Sequence, residues 1–109
     1  RKEIANYYNK NISNTKITKL IYSSGSVYHQ YVIIINDRKR LINLFEKNNI
    51  QYGFHYPKSI NHIDSLKIMF KNSNYINSEN LAKKCFSVPI DPSLKKNEIS
   101  KIVKVLNLF

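Results

Sequence analysis

Apolar residues recur along this chain at helical and strand spacings in turn, and their succession predicts a mixed domain. Residues 1–12 set Ile4, Tyr8 and Ile12 four apart, which predicts an amphipathic helix with lysine and asparagine on its outer face. Ser13 and Asn14 end it. Residues 17–26 then read as an extended or irregular link closing on Ser23, Ser24, Gly25 and Ser26, the most loop-like stretch present. Residues 27–35 are rich in aromatic and β-branched side chains and apolar throughout 31–35, which predicts a strand covered on both faces. Asn36 and Asp37 can cap the next element, a helix of about three turns in which Leu41, Leu44 and Phe45 stand at i, i+3 and i+4.

Ile50 to Phe54 predicts a second short strand. His55, Tyr56 and Pro57 leave it as an extended turn, because a residue before proline is pushed out of helical geometry. Residues 62–70 predict a short helix burying Ile63, Leu66 and Phe70; a polar loop over 71–77 leads to another at 78–86, with Leu81, Ala82 and Cys85 on one face. Ser87 to Ile90 reads as a strand fragment at a sheet edge before the turn at Asp91-Pro92. Ile99, Ile102, Val103 and Leu106 give the cleanest amphipathic stripe, a final helix docked on the rest. Lys95 and Lys96 sit unfavourably at the positive end of its dipole, so Ser93 or Asn97 is the expected cap. The element order predicts a small α+β domain, a few-stranded sheet with helices mainly on one face.

The chain has 109 residues, the size of one domain. It opens on Arg1 inside a helical pattern, which reads as a cut through a longer polypeptide. No run is long and apolar enough to span a membrane, and no basic-then-apolar leader precedes the first helix. The single cysteine, Cys85, has no partner for a disulfide or a zinc site, which fits a cytoplasmic protein. A net charge of +11 could attract nucleic acid. Two features argue against that reading: only three of the 18 basic residues are arginines, the side chain suited to bidentate phosphate recognition, and the lysines are scattered. The abundance of Ile, Asn and Lys also matches an A/T-rich coding bias.

Several blocks in series resemble the C-terminal part of the DegT/DnrJ/EryC1/StrS sugar aminotransferases, enzymes with the aspartate-aminotransferase-like fold. RKEIANYYN at 1–9 is similar to the end of the helix joining that family's two domains, and SVYHQYVI at 26–33 resembles its first small-domain strand. GFHYP at 53–57 resembles its His-Tyr-Pro signature, and KCFSVPIDPSL at 84–94 its turn before the last helix. Where relatives commonly read Pro-Leu, then His or Asn, and soon Gln-Pro, this chain has Ser59, Ile60, Asn61, His62, Ile63 and Asp64, so only Asn61 fits well.

The resemblance implies the small C-terminal domain of a fold type I pyridoxal-phosphate enzyme: residues 1–12 as the end of the interdomain helix, 13–109 as the small domain, and the large cofactor-binding domain before Arg1. The parent is then expected to be a homodimer that moves an amino group from glutamate to a nucleotide-linked keto-sugar. Two alternatives stand beside it, a sugar dehydrase of the same family and a free-standing basic nucleic-acid-binding domain. Transamination needs a lysine that binds the cofactor covalently and moves a proton. The resemblance puts that lysine in the large domain, so no lysine here is assigned as catalytic, and no pyridoxal phosphate is expected on this chain alone.

The chain's own contribution is expected to be a wall of the cleft, formed by His55, Tyr56 and Asn61, with His55 the best contact for sugar or phosphate. The plainer reading has His55 satisfying backbone groups and Tyr56 filling a core gap. His29 is expected to be buried and hydrogen-bonded. His55 and His62 lack the spacing of helical metal ligands, and two glycines, Gly25 and Gly53, cannot make a glycine-rich phosphate loop. Cys85 is expected to act as a small hydrophobe rather than a nucleophile.

Overall fold

The computed structural model describes residues 1–70 and 74–109. Helix α1 (Lys2–Asn11) buries Ile4, Ala5 and Tyr8, as its four-residue spacing predicts. The Tyr8 hydroxyl donates to the Pro89 carbonyl at 2.7 Å and so ties α1 to the far end of the sequence. Burial, reinforced by the neighbouring Tyr31, pushes the Tyr8 phenol well above its ordinary pKa, so it stays a donor.

Three antiparallel strands form the sheet in the order β1-β2-β3. Strand β1 (Thr18–Lys19) lies within the link expected to be extended or irregular. Strand β2 (Tyr31–Ile34) is central and shorter than the 27–35 run predicts. Its partner β3 (Cys85–Val88) pairs from Ile34↔Cys85 to Tyr31↔Val88. The next residue of that partner, Pro89, has no N–H to extend the ladder, and Tyr28 has a positive φ of 48°, so pairing stops. Val27 and His29 are therefore exposed, and His29 is not the buried histidine expected. Tyr22 finishes this edge, its hydroxyl accepting the Val32 N–H at 3.1 Å.

Helix α2 (Arg38–Lys47) begins where Asp37 predicts: the carboxylate accepts the Arg40 N–H at 3.0 Å, while Leu41 and Phe45 face the core. The expected strand at 50–54 reduces to one bridge, Gly53↔Ser87. Residues 62–70 do not form the expected helix. A 3-10 turn at Ile60–His62 leads into successive short turns, with Ile63 exposed and Leu66 and Phe70 half-buried. A short helix depends on an apolar face packed against something, and here Ile68 and Met69 face outward, 88% and 76% exposed. The loop expected at 71–77 lies partly outside the described residues.

Helix α3 (Ile76–Lys84) starts and ends two residues before the expected span, and Cys85 and Phe86 belong to β3. Ala82 is buried but Leu81 is half exposed, and Cys85 turns extended to pair with Ile34, because β2 offers it a complete backbone partner. All four β3 residues are buried, with β2 on one side and Gly53 on the other, so the segment is more than an edge fragment. Helix α4 (Lys96–Leu108) packs on α1 and α2 through Ile102, Val103 and Leu106. Its start is held by Glu98, whose carboxylate accepts the Lys95 N–H at 2.7 Å, and by Asn97, whose side chain accepts the Glu98 N–H. Ser93 instead donates to Asp91. The result is the small α+β domain expected, with a three-stranded sheet and four α-helices among the described residues.

Candidate functional site

Strand β3 and the Gly53 bridge hold the His55 turn. Gly53 and Ser87 exchange backbone hydrogen bonds of 3.2 and 2.8 Å, and two residues on the His55 imidazole returns over the bridge, Nδ1 lying 2.8 Å from the Ser87 hydroxyl. A serine hydroxyl both donates and accepts, so this bond serves either tautomer. The glycine is what allows the approach: a Cβ at Gly53 would stand 3.0 Å from the His55 ring carbon Cε1. Gly53→Ala should therefore displace the ring and cost about 1 kcal/mol of stability. The imidazole resonances and a denaturant titration check it; an unshifted His55 ring would refute the steric account.

Two concavities meet at His55. One, of about 270 Å³, is shared with Gln30, Gly53, Ser87 and Asp91. The other, of about 470 Å³, brings His55, Tyr56 and Asn61 together with Tyr75 and Leu81. The three residues expected from sequence thus line one cleft. Both His55 and Tyr56 are exposed; Tyr56, at 73%, fills no core gap and meets the imidazole edge-on at 5.9 Å between ring centroids. Cys85 is buried beneath the turn, its thiol within 3.5 Å of the Tyr56 carbonyl.

Asn61 differs from His55 and Tyr56 in being only 8% exposed. Its amide donates to Glu79 Oε1 at 2.7 Å, while its own Oδ1 is buried with no partner among the described residues. The Asn61 bond holds the Glu79 carboxyl below its ordinary pKa, helped by the Tyr75 N–H, His62 and Lys83 against some desolvation. Neither Glu79 nor Ser87 was singled out from sequence. Glu79 had one visible mark, as the single acid between Asp64 and Asp91 in a lysine-rich stretch.

A larger concavity, about 1000 Å³, opens elsewhere, beside Ile4, Tyr7, Val27, Leu94 and Ile99 at the starts of α1 and α4. Arg1, Lys2, Glu3 and Lys96 stand at its rim without an ion pair among the described residues, and its apolar lining suits a covering surface. Among the described residues no group of three or more His, Cys, Asp or Glu converges as metal ligands do, and no helix is long and apolar enough to cross a membrane. No described lysine is buried. The covalent chemistry of pyridoxal phosphate asks for a sequestered lysine beside an acid, and the described residues do not bring such a pair together.

Known proteins give this geometry its context. The sequence matches the DegT/DnrJ/EryC1/StrS aminotransferase family over residues 1–107. It is 26% identical over 111 aligned positions to the dTDP-3-amino-3,6-dideoxy-alpha-D-galactopyranose transaminase of Aneurinibacillus thermoaerophilus, covering all of this chain and 30% of that protein. The fold is that of solved enzymes at lower identity. DesV of S. venezuelae, crystallised with a ketimine intermediate, superposes with a TM-score of 0.88 at 16% identity over 98% of this chain and 30% of its own. PseC of Helicobacter pylori, an aminotransferase involved in the biosynthesis of pseudoaminic acid, gives 0.85 at 20% over 96% and 30%. The chain thus spans about a third of its relatives' length, and it belongs to the DegT/DnrJ/EryC1/StrS aminotransferase family.

Proposed function

We propose that this chain is the C-terminal small domain of a cytoplasmic, homodimeric, pyridoxal-phosphate-dependent enzyme that transfers an amino group from glutamate to a nucleotide-linked keto-sugar. The observation that carries the reading is the family match over 1–107, joined to a span of only 30% of a sugar transaminase. Residues 1–12 are then the end of the interdomain helix and 13–109 the small domain. The large domain supplies the lysine and the cofactor, whose bound chemistry is the movement of the amino group.

The uncovered apolar surface supports a missing partner. Tyr56 and Ile60, which line the His55 cleft, and Ile68, Met69 and Ile76, in segments flanking it in sequence, are each at least 60% exposed, apolar surface of the kind a partner domain can cover. In this reading the chain binds and orients: His55, held by Ser87 and cleared by Gly53, offers its imidazole to a sugar hydroxyl or a phosphate oxygen, and Tyr56 and Asn61 complete that wall.

The test uses the full-length protein that contains this chain, incubated with nitrogen-15 glutamate and nucleotide-linked keto-sugars. Label should appear on the sugar, and the protein should carry the pyridoxal absorbance. Loss of a sugar oxygen without label transfer would make it the dehydrase of the family. Absence of any cofactor absorbance would remove the enzymatic reading altogether.

A further inference from the structure

Two segments meet at the His55–Ser87 hydrogen bond, and one guanidinium from helix α2 reaches both of them. Arg38 Nη1 donates to the Ala82 carbonyl at 2.8 Å, in the last turn of α3, just before that helix gives way to β3 and Ser87. The same guanidinium lies over the Phe54 ring, its Cζ 4.5 Å from the centroid, and Phe54 immediately precedes His55. A single half-buried side chain therefore ties the strand that carries the hydroxyl to the turn that carries the imidazole.

The helix that bears this charge gains nothing from it. Arg38 is the first residue of α2, at the positive end of the dipole, where a cation is unfavourable. Among the described residues no carboxylate pairs with it. At the end of α3 the same charge meets the negative end of a dipole, and its planar face suits an aromatic ring in a way that a lysine ammonium does not. Phe54 depends on such a hold. The Gly53 bridge ends one residue earlier, and Phe54 makes no backbone hydrogen bond among the described residues. Its ring alone fixes the path into the turn, packed 6.0 Å from Phe86 and 5.5 Å from Tyr52, with Arg38 over one face.

We propose that Arg38 is a positioning residue for His55. By holding Phe54 and the α3–β3 junction together, it keeps the imidazole on the Ser87 hydroxyl. The effect on turnover rests on the sugar-aminotransferase reading; the effect on the imidazole does not.

The geometric test is a crystal structure of the full-length protein carrying Arg38→Leu. The separation of His55 Nδ1 and Ser87 Oγ should open from 2.8 Å to beyond about 3.5 Å; an unchanged separation would overturn the proposal. The kinetic test is a double-variant cycle with dTDP-3-keto-6-deoxygalactose, the keto form of the sugar named for the Aneurinibacillus enzyme, as amino acceptor. Arg38→Leu and Ser87→Ala should each lower kcat/KM by about threefold to tenfold. The double variant should fall no further than the worse of the two, because both act through one bond. Multiplied losses would mean that Arg38 serves only the packing of the core, and would overturn it. Arg38→Lys covers the case in which the leucine variant does not fold, since it keeps a charge near the Ala82 carbonyl but not the planar face on Phe54. Its thermal midpoint should stay within a few degrees of the parent while kcat/KM still falls by about threefold; parental kcat/KM there would overturn the proposal. A parent enzyme inactive with this probe counts against the sugar-aminotransferase reading alone, and the Nδ1–Oγ separation in the variant structures then decides the role of Arg38.

Discussion

Phe86→Ala should lower the thermal midpoint of this domain by about 15–30 °C, the equivalent of about 3–5 kcal/mol. Phe86 is fully buried in β3 and stands at the centre of an aromatic cluster. Phe45 meets it edge-on at 4.9 Å, Phe54 at 6.0 Å, and Tyr52 stacks on it at 5.3 Å, so one ring joins α2, the Gly53 segment and the sheet. Removing it leaves a cavity that three other rings line, and their mutual contacts cannot close it without dragging α2 or the His55 turn. A domain of this size has about 5–15 kcal/mol in total, so the loss is a large share. Calorimetry of the variant checks it, with Leu108→Ala as a control that should move stability by under about 0.5 kcal/mol, since Leu108 is 75% exposed. A Phe86→Ala midpoint within a few degrees of the parent would mean that the cluster is not the keystone of this core.

Helix α2 was legible because several local signals coincide in it. Around α2 a capping aspartate, an apolar i, i+3, i+4 set and a basic last turn all agree. Residues 62–70 carry a similar apolar spacing, but Leu66 and Phe70 are only half-buried and Ile63 is exposed, and the pattern alone cannot tell how much partner surface exists; Ile68 and Met69 point to solvent. Strand β3 was obscured for the opposite reason. Its four residues are buried on both faces, so they show no alternation, and they come directly after helix α3 with no glycine or proline between. The strand exists because β2 and Gly53 both offer backbone partners from distant parts of the chain.

The candidate site divides in the same way. His55, Tyr56 and Asn61 came from a resemblance in one short stretch of sequence. Their supporting partners come from afar: Ser87 lies 32 residues beyond His55, and Glu79 lies 18 beyond Asn61. No periodicity links such pairs, so the orientation of the imidazole and the burial of Asn61 against Glu79 emerge only in three dimensions. The exposure of His55 is equally a tertiary fact, set by a turn that leaves the sheet at the bridge rather than continuing it as a strand.

Under the proposed sugar-aminotransferase function, His55→Ala in the full-length protein should reduce kcat/KM for the nucleotide-sugar by about 10–100-fold, as expected when one hydrogen bond to a charged or strongly polar substrate group is lost. Stability should change little, because the imidazole is exposed and touches the fold mainly through the Ser87 hydroxyl. That pairing separates a role in binding from a role in structure. A residue that merely satisfies the fold would lower the midpoint on substitution and spare turnover. Ser87→Ala supplies the intermediate case: it frees the ring without deleting it, so kcat/KM should fall by less than in His55→Ala, about threefold to tenfold, through loss of preorganisation. The double variant should then be no worse than His55→Ala alone, because Ser87 has nothing left to orient. Additive losses in the double variant, or a His55→Ala enzyme with unchanged kcat/KM, would show that the Ser87 bond serves the turn and not the substrate.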